Sequence, residues 1–223
     1  MNMKQITSHI LTSLAFLSLA GCATTLQPPP PETSTTSPTS QKTHNPLKKW
    51  DINGSLSVDQ FEETPAAANT SAKHVITSYR WRQWDTFYQI DLSGSLDLYR
   101  VQLVGTPDSV TLWKSNRDYL VARTPEALIQ QQTGWNLPIS DLHYWVQGLT
   151  APNSDVEALQ TDNVGHIVFA IQDGWQVEWL RYTTQNNLDL PSFLRLTRPG
   201  WKIKIQIQSW NLTPNSQGSS RGS

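Results

Sequence analysis

The chain has 223 residues, with 17 Lys and Arg against 18 Asp and Glu, a formal charge of −1, and ten tryptophans. That balance argues against nucleic-acid binding driven by phosphate neutralisation, and against a polybasic membrane footing. So many tryptophans suit a strand-rich fold or an apolar site, since each brings a large apolar area with few rotatable bonds.

The first element reads as an address. Lys4 precedes a mostly apolar run from Ile10 to Ala20, the length of a signal-peptide core and short of the about 20 residues that span a bilayer. Leu19-Ala20-Gly21-Cys22 follows, with two small residues directly before the only cysteine. This resembles the bacterial lipobox. The resemblance implies that residues 1–21 are removed and that Cys22 carries a diacylglycerol thioether, with a third acyl chain on the freed amine. Two or more acyl chains anchor a protein stably, where one is marginal. With Cys22 modified no thiol is left, so a periplasmic domain must rely on its apolar core alone. Ala23 stands where enterobacterial lipoproteins retained in the inner membrane tend to carry aspartate, which favours the outer membrane.

Residues 22–47 read as a lipidated cysteine and a linker. Pro28 to Pro31 is a proline run, and Glu32 to Thr43 is rich in Ser and Thr, too poor in apolar content to offset the entropy of folding. The proline run is extended, at about 3.1 Å per residue. From residue 48 the pattern turns to period two. Strands are predicted at Trp50–Val58, Val75–Arg82, Tyr88–Leu92, Tyr99–Leu103, Val110–Trp113 and Tyr119–Ala122. The second has Val75, Thr77, Tyr79 and Trp81 on one face and Ile76, Ser78, Arg80 and Arg82 on the other.

A helix is predicted from Thr124, a capping residue followed by Pro125 and Glu126, to about Gln132, ending near Gly134. A second runs from Pro138 or Ser140 through Trp145 to Gly148. Thr150 to Asn163 reads as a polar connection. Strands return at Ile167–Ile171 and Trp175–Trp179, joined by the hairpin signal Asp173-Gly174. Leu190-Pro191 reads as a break. Leu194 and Leu196 lead to a type II turn at Pro199-Gly200, and Ile203, Ile205 and Ile207 alternate with Lys202, Lys204 and Gln206. Residues 213–223 read as a disordered tail, so the domain spans 48–212.

The sum is a mainly β fold of about ten to eleven antiparallel strands with two helices inserted. Two short helices cannot cover so wide a sheet, so the sheet must curl into a barrel or half-barrel with the helices as plug. Such a barrel can enclose an apolar cavity. Strand face and aromatic character nominate Tyr79, Trp81, Leu103, Trp113, Leu128, Trp145, Val177 and Trp179 for its wall. No Gly-x-Ser-x-Gly, His-Glu-x-x-His or phosphate-binding loop is present, and His74, His143 and His166 are isolated in sequence. The chain is therefore read as non-enzymatic, without cofactor or metal. An apolar cavity suits acyl chains, at about 0.8 kcal/mol per buried methylene. The competing readings are a structural or interaction envelope lipoprotein that binds no acyl chain, and a hydrolase or glycan-binding module using exposed tryptophans.

Several short motifs, in order, then resemble one family. They are Trp50-x-x-x-Gly54, Tyr79-Arg80-Trp81, Thr133-Gly134-Trp135-Asn136-Leu137-Pro138, Gly148-Leu149, Gly174-Trp175, Leu190-Pro191 and Ile203-x-Ile205 with Trp210. The set is similar to the LolB family of outer-membrane lipoprotein acceptors. The resemblance implies an unclosed antiparallel barrel with helices over a hydrophobic cavity. It implies a monomer, lipid-anchored on the periplasmic face of the outer membrane of a Gram-negative bacterium. It further implies that acylated lipoproteins are taken from the periplasmic carrier LolA and inserted into that membrane, without covalent chemistry or nucleotide. The family places a membrane-inserting leucine at the tip of the loop between the third and fourth strands, and Leu96 matches that place. Ser95 and Asp97 stand where the family tends toward Pro and Gly, and a charge beside an inserting tip is costly.

Overall fold

The structure, a computed structural model, describes residues 44–61, 71–94, 100–115 and 117–212. Six strands come first: β1 (Lys49–Phe61), β2 (Ser71–Trp84), β3 (Phe87–Gly94), β4 (Arg100–Gly105), β5 (Val110–Ser115) and β6 (Asp118–Ala122). Two helices follow, α1 (Pro125–Thr133) and α2 (Ile139–Trp145). Five more strands complete the domain: β7 (Val156–Thr161), β8 (Ile167–Gln172), β9 (Trp175–Gln185), β10 (Leu188–Arg198) and β11 (Trp201–Asn211). All eleven belong to one sheet in the order β6-β5-β4-β3-β2-β1-β11-β10-β9-β8-β7, and every neighbouring pair is antiparallel. Each neighbour is also a neighbour in sequence, except that β1 lies against β11. β6 and β7 end the sheet without pairing to each other, so the barrel is open.

Flat, eleven strands at about 4.8 Å would spread over roughly 50 Å. Yet α1 packs on β5 and β6 while Trp145, at the end of α2, hydrogen-bonds to Gln172 of β8. A helix is only about 10 Å across. The sheet must therefore curl around the helix pair, which sits in its concave face as a plug. Alternation supplies the inner surface. Ile52, Leu56 and Val58 of β1, Tyr79 and Trp81 of β2, and Ile203, Ile205 and Ile207 of β11 are all buried in one core. The outer face carries charge pairs across strands, such as Arg80 with Asp51, Arg82 with Asp91, and Arg195 with Glu178.

Local chemistry explains the turns. Asp173 and Gly174 both have positive φ, as a tight primed hairpin turn requires, and so do Asn186 and Asn187 between β9 and β10. Gly134 closes α1 in the left-handed conformation at φ 75°, its N–H donating to the Gln130 carbonyl. Thr124 flanks α1 but makes no side-chain cap bond. Gly54 has a different reason: a Cβ there would lie 1.8 Å from the Gln206 carbonyl oxygen of β11, at a bulge in the β1–β11 ladder.

Two expectations are corrected. The polar connection after α2 contains the edge strand β7, paired to β8 from Val156 to Thr161. Leu190-Pro191 does not break the chain but lies inside β10, at an irregularity in its pairing with β9. Proline is tolerated there because a bulge releases one ladder hydrogen bond.

Candidate functional site

Beneath the plug lies an apolar cavity of about 40 Å³. Its sheet wall is Leu56 of β1, Tyr79 and Trp81 of β2, Ile90 and Leu92 of β3, and Leu103 of β4. Ile205 of β11 completes that wall. Ile129 of α1, Leu137 of the connection, and Ile139, Leu142 and Val146 in and after α2 close it from above. The one hydroxyl on this wall, that of Tyr79, donates to the Gln206 carbonyl at 3.3 Å, and burial pushes its pKa far up, so it stays neutral. A volume of about 40 Å³ holds two or three water-sized probes. With the plug seated, no acyl chain fits.

The plug is held by few polar ties. Thr133 Oγ1 donates to the Ile129 carbonyl at 2.7 Å and accepts from the Trp135 N–H at 3.1 Å, which fixes the bend between α1 and α2. Ser140 N–H donates to Glu126 Oε1 at 2.8 Å, tying the two helix starts together. At the far end Gln172 of β8 is wholly buried and satisfied. Its Oε1 accepts from Trp145 Nε1 and from the Ala151 N–H, both at 2.9 Å. Its Nε2 donates to the carbonyls of Ala151 at 2.6 Å and Ser154 at 2.9 Å. Trp179 Nε1 donates to the Trp145 carbonyl at 2.7 Å. His143, also on α2, faces the rings of Trp50 at 5.9 Å and Trp81 at 6.5 Å, and burial lowers its pKa, so it sits neutral among them. Asp141, beside Asp173 and Glu126, is raised to about 6 by burial and by those two carboxylates.

Residues 48–210 match the family model described as "Outer membrane lipoprotein LolB". The chain belongs to the LolB family. An "Outer-membrane lipoprotein LolB" of Coxiella burnetii (strain RSA 493 / Nine Mile phase I) is 35% identical over 205 residues, covering 90% of this chain and 91% of its own length. One from Pseudomonas fluorescens (strain Pf0-1) is 34% identical over 164 residues, 74% of this chain and 75% of its own. Among solved structures, a LolA superfamily protein from Nitrosomonas europaea aligns with TM-score 0.47 and 6% identity over 75% of this chain and 87% of its own.

Several motifs of this LolB-family chain supply buried residues of the plug and of the sheet. Thr133 to Pro138 is the bend of the plug, with Trp135 and Leu137 buried. Trp210 Nε1 donates to the Pro191 carbonyl at 2.9 Å, joining two motifs across β10 and β11. Of the residues nominated for the cavity wall, Tyr79, Trp81 and Leu103 line it. Leu128 is buried on α1 but does not reach the cavity. Trp145, Val177 and Trp179 form the packed core between the end of α2 and β9. Trp113 is on the outer face of β5, its ring 4.8 Å from that of Tyr119, because Val110 and Leu112 take the inward positions. Sequence reasoning did not nominate Leu56, Ile90, Leu92, Ile129, Leu142 or Ile205. Ile90 and Leu92 share the parity of Tyr88, which was signal enough. Cys22 and Leu96 lie outside the described residues.

Among the described residues no group of three His, Cys, Asp or Glu side chains is placed to hold a metal ion. His74 pairs with Asp59, and His166 lies between Asp162 at 3.0 Å and Asp189 at 3.1 Å. Among the described residues no helix is long and apolar enough to cross a membrane.

Proposed function

We propose that this LolB-family chain accepts acylated lipoproteins from the periplasmic carrier LolA and releases them into the outer membrane, acting as a non-catalytic monomer. Three acyl chains on Cys22 hold it at the periplasmic face of that membrane. The observation that carries this reading is the cavity: every group facing it is apolar except one satisfied tyrosine hydroxyl, and the segment of α1, α2 and their connection closes it. Acyl chains enter as the plug lifts. Each methylene buried against Leu56, Ile90, Leu103 and their neighbours contributes about 0.8 kcal/mol, set against the loss of the plug's own contacts. That near-balance lets cargo enter and leave without nucleotide. The β3–β4 loop with Leu96 then meets the membrane during release.

The test uses the mature chain from Cys22 carrying Cys22→Ala, so that it stays soluble. Mixed with LolA loaded with a labelled triacylated lipoprotein, it should take up most of the label. Label that remains on the carrier, with the acceptor shown by circular dichroism to be folded, refutes the acceptor reading.

A further inference from the structure

The hairpin between β2 and β3 exposes two aromatic rings that the cavity does not use. Trp84 is 43% and Phe87 52% exposed, and the two are directly paired across the turn. Arg82 places its guanidinium 5.9 Å from the centre of the Trp84 ring. Lys48 and Lys49 are exposed beside them: Lys49 pairs with Trp84 in the ladder, and the Asp85 N–H donates to the Lys48 carbonyl at 2.5 Å. The acidic group of the turn, Asp85, is faced by Lys48 Nζ at 3.9 Å.

The first described residues, 44–48, lead into β1 at the end of the sheet where this turn lies. His44 Nε2 bonds the Gln147 carbonyl at 3.0 Å, and the Leu47 N–H donates to Gln147 Oε1 at 2.6 Å. Lys48, four residues after the first described residue His44, already meets the turn of this hairpin. The β3–β4 loop, by contrast, lies at the other end of β3, eight residues away, about 25 Å. Aromatic rings flanked by Lys and Arg are the side chains that settle at the headgroup level of a bilayer.

We propose that the β2–β3 hairpin is a lipid-contacting surface distinct from the β3–β4 loop. Trp84 and Phe87 rest among the headgroups of the bilayer that holds the Cys22 acyl chains, with Lys48 and Lys49 toward lipid phosphates. The placement on that particular bilayer rests on the reading of Cys22 as lipidated; the affinity for lipid does not.

The experiment is co-sedimentation of the mature Cys22→Ala chain with vesicles of phosphatidylethanolamine and phosphatidylglycerol. Three forms are compared: unaltered at other positions, Trp84→Ser with Phe87→Ser, and Leu96→Glu. The double replacement should lower partitioning on the order of tenfold, from the loss of two interfacial rings, with unchanged thermal melting. Leu96→Glu, which alters the loop assigned to release, is the comparison, and the double variant should lose more binding than it does. Partitioning equal to the parent in the double variant, or no vesicle binding by the parent, overturns the proposal. So does a double variant that binds vesicles normally but receives cargo poorly from the carrier, since the hairpin would then be a protein-docking surface. Failure of the lipidation reading shows separately, as a Cys22-containing chain that leaves the membrane fraction in cells.

Discussion

Replacing Gln172 by Leu tests whether the plug is fastened at its β8 end. The side chain is 0% exposed and serves four partners, Trp145 Nε1, the Ala151 N–H, and the carbonyls of Ala151 and Ser154. Leucine has similar bulk, so little cavity opens. What changes is that up to four polar groups lose their partner in a buried place. An orphaned buried group costs about 1–3 kcal/mol, and local relaxation satisfies some of the four. A loss of about 3–6 kcal/mol follows, against a typical total stability of about 5–15 kcal/mol. Urea unfolding followed by tryptophan fluorescence and by far-ultraviolet dichroism measures it, with the two midpoints compared to check two-state behaviour. In thermal melting the midpoint should fall by roughly 10 °C or more. A loss below about 1 kcal/mol would refute the reasoning, because the four bonds would then contribute no more than water does. Since Trp145 ends α2, the same variant should also take up acyl cargo faster where it remains folded.

Three further outcomes follow from single residues. Gly54→Ala, whose Cβ would collide with the Gln206 carbonyl, should cost more than about 3 kcal/mol in denaturant unfolding, since backbone rather than a flexible side chain must give way. Asp141, raised to about 6 in the folded state, binds a proton there before it does in the unfolded chain, so its contribution to stability increases as pH falls from about 7 through 6 toward the ordinary aspartate range. Asp141→Asn should raise the melting temperature at pH 7 and flatten that part of the profile, as read by melts across pH. Leu96→Glu should leave uptake from the carrier intact and lower delivery to outer-membrane vesicles at least tenfold; delivery at the parental rate would remove the role given to this residue.

The inner surface was legible where a strand has one polar face. β2 and β11 alternate cleanly, and their inward residues were read off directly. β7 was hidden because it is an edge strand whose large residues, Val156 and Leu159, both stand exposed, so no alternation marks it. Pro191 hid the continuity of β10, since proline ordinarily argues against a central strand and only the bulge admits it. For the site, Trp113 illustrates a limit of parity: both faces of β5 carry a large apolar residue, and burial of Leu112 leaves the ring outside. Trp145 and Trp179 are as apolar as Trp81, and composition does not separate a cavity wall from a packed core. The clue was polar: one glutamine, Gln172, at the end of an apolar strand, where a buried amide needs partners on several elements. The residues that close the cavity from α1 and α2 follow helical spacing, but which helix face meets the sheet depends on how far the sheet curls.

The pairing of β1 with β11 sets an order for folding. Nine contacts between successive strands close over the short connections between them, while β6 and β7, on either side of the helices, do not pair. The pairing of Asp51 with Asn211 instead joins residues at the two ends of the domain. Closing so long a loop carries a larger entropy cost and comes late. The chain should therefore form two meanders first, one on each side of the helices, and zip them along β1 and β11 afterwards. Until that zip closes, the faces that later enclose the cavity stand open as two separate apolar sheets. The dangerous moment for aggregation is then the interval before the last strand arrives. Because the last strand completes the barrel, a chain truncated before Trp201 should be sticky rather than merely unstable.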